Sequence, residues 1–279
     1  MKDIRLDNIT QVAADSFAGL PDARQRLLVQ ELVRHLHGYA KAVRLTHEEW
    51  RGAIAFLHRV GAMSDDSRSE FSLLSDVTGL SSLVDLLASD AAHPAATPGS
   101  VLGPFHTAGS PWLANPADLV RDNAGEPVRL RGRVCGADGA PLPNATLDFW
   151  QNAANGLYWQ IDPTQPTDNL RCQLQVDAQG GFEIRTVRVV PYQIPTDGPV
   201  WADVVEPAGR SAWRPAHYHL IVAAPGHRTL VTELFQADDP YLETDAVFGV
   251  REALVGRYED GPDGPVMNVE LRLAPTTHA

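Results

Sequence analysis

The hydrophobic period of this chain changes near residue 100, and that change limits what it can fold into. Before this point apolar residues recur at spacings of three and four. After it they fall in short runs separated by turn residues. Leu28, Leu32, Leu36, Tyr39 and Val43 share one helical stripe, with Asp22 placed as its N-cap. Thr46 and Glu49 form a capping box ahead of Trp50, Ile54, Leu57 and Val60. Ser67 and Glu70 form another, opening a helix with Phe71, Leu73, Leu74 and Val77 that Gly79 stops. Leu80, Leu83, Leu86 and Leu87 make a short fourth helix. Leu27, Leu28, Val29, Leu32 and Val33 widen the apolar surface of the first helix, which either a partner subunit or the rest of the chain must cover.

Asp90 to Ser100 has the Pro, Gly and small-residue composition of a linker. Beyond it, β-type runs lie at Val128–Cys135, Thr146–Gln151, Phe182–Val187, His217–Ala223, Thr229–Phe235 and Val266–Leu273. Turn-rich spacers such as Ala137–Pro141 and Asp177–Gly181 divide them. This predicts a mainly β protein with an α-helical N-terminal region, divided into residues 1–100 and 101–279. The β part reads as a sandwich or barrel.

The chain has 279 residues, 44% of them hydrophobic, enough for a sizeable core. A net charge of -12 argues against a nucleic-acid partner. Cys135 and Cys172 do not form a disulfide framework and fit a reducing compartment. The first residues hold no apolar run suited to a signal peptide, and no stretch reaches the length of a membrane span, so no membrane insertion and a cytoplasmic location are expected.

The chemistry centres on Trp213-Arg214-Pro215-Ala216-His217-Tyr218-His219 and the apolar run after it. Alternate strand residues share a face, so His217 and His219 point the same way, as two ligands to one metal would. Pro215 marks an edge, a bulge or a strand start. Alone, a His-x-His pair is more often two ordinary histidines. Two tyrosines in unusual settings add weight: Tyr158 in Asn155-Gly156-Leu157-Tyr158 and Tyr192 in Pro191-Tyr192-Gln193-Ile194-Pro195. A phenol with an ordinary pKa of about 10 becomes phenolate at neutral pH only beside a strong Lewis acid. Anionic oxygen donors favour a hard, highly charged ion, so ferric iron is preferred over zinc or copper.

The ordered set Val101-Leu102-Gly103-Pro104-Phe105, Leu147-Asp148-Phe149-Trp150-Gln151, Asn155 to Tyr158, Arg185-Thr186-Val187, Pro191 to Pro195 and Arg214 to His219 resembles the intradiol ring-cleavage dioxygenases. The likeness is to their catechol and hydroxyquinol 1,2-dioxygenase branch and covers nearly the whole chain. It implies a β-sandwich catalytic domain plus a helical dimerisation domain. It also implies one Fe(III) per chain held by Tyr158, Tyr192, His217 and His219, a homodimer, and a phospholipid in a tunnel at the subunit junction. The implied substrates are a small aromatic diol or triol and O2. Tyr192 would accept a substrate proton and Arg214 would stabilise anionic charge near the ring. The pocket implied by the family comprises Leu73, Asp76, Val101, Leu102, Gly103, Pro104, Phe105, Ile194, Pro195, Arg214 and Val247. His106 reads as polar lining. Asp76 as an acceptor for an extra hydroxyl, and Val247 within Tyr241–Val250, tilt the expectation to hydroxyquinol, with catechol as the alternative. Glu233 departs from the glutamine of many catechol enzymes. A carboxylate there is placed to pair with Arg214, to bind a substrate hydroxyl, or to add negative charge at the iron.

Overall fold

The structure is a computed structural model that describes residues 3–65 and 68–276. The chain forms two compact units, one up to Arg59 and one from Val60 onward.

The first unit contains α1 (Ile9–Asp15), α2 (Ala23–Val43) and most of α3 (His47–Ala62). Asp22 caps α2 by accepting from the Gln25 amide at 2.6 Å. The Thr46/Glu49 box closes in both directions, with the Glu49 amide donating to Thr46 Oγ1 at 3.2 Å and the Thr46 amide to Glu49 Oε2 at 2.8 Å. Helix α1 lies N-terminal to the predicted helices. It docks on α2 through Gln30 Nε2 donating to Ala14 O at 3.0 Å and Lys41 Nζ donating to Thr10 Oγ1 at 2.8 Å. No residue of α2 is buried, and Leu28, Leu32, Leu36 and Val43 face solvent.

The second unit opens with α4 (Glu70–Val77) and α5 (Leu80–Asp90). The predicted cap Ser67 lies outside the described residues, and Ser69 caps α4 by accepting from the Ser72 amide at 3.1 Å. Gly79 separates the helices in a left-handed conformation, φ 79°. The Asp90–Ser100 stretch continues as irregular chain but is stitched to the sheets. Thr97 N donates to Arg272 O at 2.9 Å and Ser100 N to Val231 O at 3.1 Å.

The strands are β1 (Ala117–Asp118), β2 (Pro127–Gly136), β3 (Thr146–Trp150), β4 (Arg171–Gln175), β5 (Gly181–Val187), β6 (Tyr192–Gln193), β7 (Trp213–Arg214), β8 (His217–Ala223), β9 (Leu230–Gln236), β10 (Val255–Gly256), β11 (Tyr258–Glu259) and β12 (Val266–Leu273). One sheet runs β1-β5-β2-β12-β11 and the other β10-β9-β8-β3-β4, with β6-β7 as a separate ribbon. All six predicted runs are strands. A single apolar core joins Leu130, Val134, Ile184 and Leu271 of the first sheet to Leu147, Phe149, Tyr218, Leu220 and Val222 of the second. The architecture is therefore a β-sandwich preceded by helices. Cys135 and Cys172 are buried free thiols. Burial pushes the Cys172 thiol up to about 12.

Candidate active site

Strand β8 decides where the polar side chains go. Tyr218, Leu220 and Val222 point into the core, so His217 and His219 occupy the opposite face of the sheet. In the antiparallel register His219 lies between Trp150 on β3 and Glu233 on β9, and His217 pairs with Phe235. The Trp150 indole stacks on His219 at 4.8 Å and 2°. Pro215 falls in the break between β7 and β8. Upstream of that break, β6 pairs with β7 so that Tyr192 faces Arg214. Tyr158 sits in the loop after β3, where Asn155 Nδ2 and Gln165 Nε2 both bond Asp162 and Gln165 Nε2 also donates to Leu157 O. Phe105 stacks on the Tyr158 ring at 4.3 Å and meets Tyr192 edge-on.

Four side chains drawn from three segments therefore converge. His217 Nε2 and His219 Nε2 are 3.1 Å apart, and Tyr158 Oη is 3.1 Å from His219 Nε2. The Tyr192 ring lies 5.6 Å from that of Tyr158 and 5.5 Å from that of His217. Tyr158, His217 and His219 are buried, and Tyr192 is half-buried. Burial and the adjacent Arg214 push His217 down to about 4, and burial and His217 push His219 well below its usual range. Both imidazoles are thus neutral at pH 7 and able to donate lone pairs. Burial pushes both phenols up; Tyr192 adds to the rise at Tyr158, and the charge of Arg214 opposes it at both. Only a cation at the convergence point would draw off those protons.

The donor set fits such a cation. His217 Nδ1 faces Pro215 O at 2.7 Å and donates to it, which leaves its Nε2 unprotonated, with a lone pair to give. That nitrogen faces a second imidazole nitrogen, and two lone pairs at 3.1 Å repel unless a cation or proton stands between them. Among the described residues, one group of His, Cys, Asp or Glu side chains is close enough to share a metal: His217, His219 and Glu233, with ligand atoms within 4.8 Å of one another.

The carboxylate in that group has other commitments. Glu233 Oε1 accepts from Arg214 Nη1 at 2.8 Å, and Oε2 from Arg214 Nη2 at 3.1 Å. Ser100 Oγ lies 2.7 Å from Oε2 and 2.8 Å from Gly249 O. Burial alone would raise the Glu233 pKa, but Arg214 and the two imidazoles outweigh it and hold the carboxyl at about 2. Asp245 holds the other side of the same guanidinium, at 3.1 Å from Nε and 3.3 Å from Nη2. Burial opposes the charge on Arg214, but Asp245 and Glu233 keep it protonated. Arg214 Nη1 also lies 3.1 Å from His217 Nε2 and 3.5 Å from Tyr192 Oη. Asp245, Ser100 and Trp150 were absent from the predicted site. Trp150 and Glu233 flank His219 by strand register, which becomes readable once the pairing of β3, β8 and β9 is known.

Two glycines make room for this packing. A Cβ on Gly103, φ +72°, would stand 3.1 Å from His219 Cε1. A Cβ on Gly249 would stand 2.7 Å from both Arg214 Nη2 and Glu233 Oε2. The remaining predicted pocket residues lie on the same unit. Leu73, Val101, Ile194 and Val247 are buried, whereas Leu102, Pro104 and Pro195 are exposed. Asp76 is half-buried, one helical turn after Leu73. Burial pushes its carboxyl up, while Ser81 and the charge of Arg214 pull it down. His106 packs edge-on against Trp150 and lies 3.4 Å from Asp148.

Comparison with known proteins places the chain in a family. The family described as "Dioxygenase" matches residues 101–274, and "Catechol dioxygenase N terminus" matches residues 22–96. The chain belongs to the intradiol ring-cleavage dioxygenase family, whose members are non-haem iron enzymes. Within that family it stands beside enzymes named for hydroxyquinol. It is 40% identical over 278 residues to the 6-chlorohydroxyquinol 1,2-dioxygenase of Cupriavidus pinatubonensis, covering 99% of this chain and 100% of that one. It is 40% identical over 250 residues to the hydroxyquinol 1,2-dioxygenase of Rhodococcus opacus, covering 89% and 82%. The crystal structure of hydroxyquinol 1,2-dioxygenase from Pseudomonas putida DLL-E4 superposes with a TM-score of 0.88 at 40% identity, covering 97% and 98%.

Proposed function

We propose that the enzyme opens the ring of hydroxyquinol (benzene-1,2,4-triol) between its two adjacent oxygenated carbons. O2 is the co-substrate, and 3-hydroxy-cis,cis-muconate, the tautomer of maleylacetate, is the product. Both oxygen atoms enter the product, so no external reductant is consumed. The observation that carries this reading is the convergence of Tyr158, Tyr192, His217 and His219 beside Arg214. One Fe(III) per chain, held by those four residues, supplies a Lewis acid and a template for the diol.

The chain's own groups have distinct tasks. Two hydroxyls of the substrate must lose protons on binding, and Tyr192 Oη is the acceptor for one of them. It is suited to this because it lies at the Arg214 end of the cluster, where the guanidinium favours its anionic form before substrate arrives. Tyr158, stacked under Phe105 with its Oη 3.1 Å from His219 Nε2, stays in place. Arg214 faces the reacting ring with its charge fixed by Glu233 and Asp245, and stabilises anionic charge as it develops. Leu73, Val101, Leu102, Gly103, Pro104, Phe105, Ile194, Pro195, Glu233 and Val247 form the walls around the substrate. Asp76 accepts the third hydroxyl, which catechol lacks.

Residues 1–100 serve as the dimerisation region and 101–279 as the catalytic domain. Exposed leucines on α2 (Leu28, Leu32, Leu36) and on α5 (Leu80, Leu83, Leu87) support a homodimer with a phospholipid at the junction. Among the described residues no single helix is long and apolar enough to cross a membrane. The two buried free thiols support a cytoplasmic location.

Oxygen uptake with hydroxyquinol and with catechol, each followed by product absorbance, tests the substrate. A higher kcat/KM for hydroxyquinol is expected. A clear preference for catechol, yielding cis,cis-muconate, would replace the hydroxyquinol assignment with a catechol 1,2-dioxygenase. A Tyr192→Phe protein is expected to lose about 10²-fold or more in kcat, the usual scale for a positioned proton acceptor. Full activity in that variant would remove Tyr192 from the role.

A further inference from the structure

We infer that Glu233 is a positioning residue for the metal, the carboxylate that fixes the His219 imidazole with its Nε2 lone pair directed at the iron and adds one fixed negative charge beside it. This rests on the four-ligand reading above and concerns how that site is held.

The two histidines are not supported alike. His217 has a backbone partner, Pro215 O, for its Nδ1 at 2.7 Å. His219 Nδ1 is buried and has no hydrogen-bond partner in the described structure. Glu233 Oε1 lies 3.6 Å from it. Hydrogen bonds of this type close at about 2.7–3.2 Å, so a small rotation of either side chain completes the bond. Strand register places the two residues directly across from each other, so the approach is built into the sheet. The ring is already clamped from other directions by the Trp150 stack and by the close passage of Gly103. Its Nδ1 edge is what remains, and Glu233 addresses it.

A metal-bound imidazole ordinarily donates its second N–H to a carboxylate or carbonyl, which sets the tautomer and raises its basicity. Pro215 O performs this for His217. Glu233 does it for His219, and because it is charged it also lowers the electron affinity of the metal. Glu233 Oε1 lies 3.6 Å from His219 Nδ1 and 3.3 Å from His217 Nε2, so it stands beside the ligand atoms, and what keeps it from the metal is its other bonds. Both of its oxygens are occupied by Arg214, and Oε2 by Ser100 as well.

The test compares iron-loaded wild type with Glu233→Gln, Glu233→Asp and Asp245→Asn. Asp245→Asn removes a charge from the same guanidinium with no hydrogen bond to either imidazole. Iron retention against a chelator, the Fe(III)/Fe(II) midpoint potential and the visible spectrum are measured, with far-UV circular dichroism of each apoprotein as the folding control. Glu233→Gln keeps an amide oxygen as acceptor but removes the charge, so its potential should rise and its iron retention should fall by less than the roughly 10- to 100-fold usual for loss of an outer partner of a ligand. Asp245→Asn should show the smaller change in both. Glu233→Asp keeps the charge but withdraws the oxygens, so it should hold its potential nearer wild type while still losing iron faster. It decides the question if the glutamine variant does not fold. Equal effects of Glu233→Gln and Asp245→Asn, or wild-type retention and potential in Glu233→Gln, would overturn the inference. A wild-type protein that takes up no iron would instead overturn the four-ligand reading on which it stands.

Discussion

Strand β8 has two faces with opposite requirements. Tyr218, Leu220 and Val222 enter a core shared by both sheets, while His217 and His219, between and beside them, face the opposite side toward Tyr158 and Arg214. On the inner face the polar exception is the Tyr218 hydroxyl, which is satisfied by the hydroxyl of Tyr258. On the outer face the polar groups around the two histidines hold one another: Glu233 is held by Arg214 and Ser100, Arg214 by Asp245, and His217 by Pro215 O. A period of two therefore does two jobs at once. It seals the sandwich, and it lines up ligands on a rigid sheet instead of on a loop.

Adjacent substitutions should separate the two jobs. His219→Ala is expected to have the largest effect on chemistry: iron retention and oxygen uptake should fall by more than about 100-fold, beyond the roughly 10- to 100-fold expected for an outer partner. The apoprotein should unfold within a few degrees of wild type. A stable His219→Ala protein with wild-type iron content would break the assignment of the outer face. Leu220→Ala, one residue along, should do the reverse. Loss of a fully buried leucine is expected to cost about 2–5 kcal/mol of stability, read as a lower urea midpoint, with iron stoichiometry unchanged in the folded fraction.

A smaller effect sharpens the comparison between strand and loop. Tyr158 is the proposed ligand held by loop structure, and Asp162 organises that loop. Hydrogen bonds from Thr164 and Asn155 hold the Asp162 carboxyl well below the usual range. A lowered folded pKa means that its contribution to stability is complete above the unfolded value of about 3.9 and is lost as pH falls below it. Asp162→Asn should therefore flatten the acid side of the stability profile, measured as urea midpoints between pH 5 and pH 3 (about one unit either side of that value). An unchanged profile would show that the turn is held by other contacts.

Some of this was readable from residues alone, for physical reasons. The alternation through His217-Tyr218-His219-Leu220-Ile221-Val222 places the two histidines on one face without reference to any other strand. The Thr46/Glu49 box and the Asp22 cap are local and form as expected. What needs long-range pairing was not readable. Residue types alone could not join Tyr158 and Tyr192 to the histidines, and the resemblance supplied that link. Asp245 reaches Arg214 from an irregular loop with no period to betray it. Helix α1 carries only Ile9 and Val12 as sizeable apolar residues, and β4, Arg171–Gln175, offers only Cys172 and Leu174, too little for a periodic signal.

The most direct measurement is the visible absorption spectrum of the purified protein together with its iron content. Coordination of ferric iron by Tyr158 and Tyr192 predicts about one iron per chain and a red-brown tyrosinate-to-iron charge-transfer band, diminished in Tyr158→Phe. A colourless protein that stays colourless and inert after iron loading, or an iron-bound protein whose band is untouched by that substitution, would contradict the account.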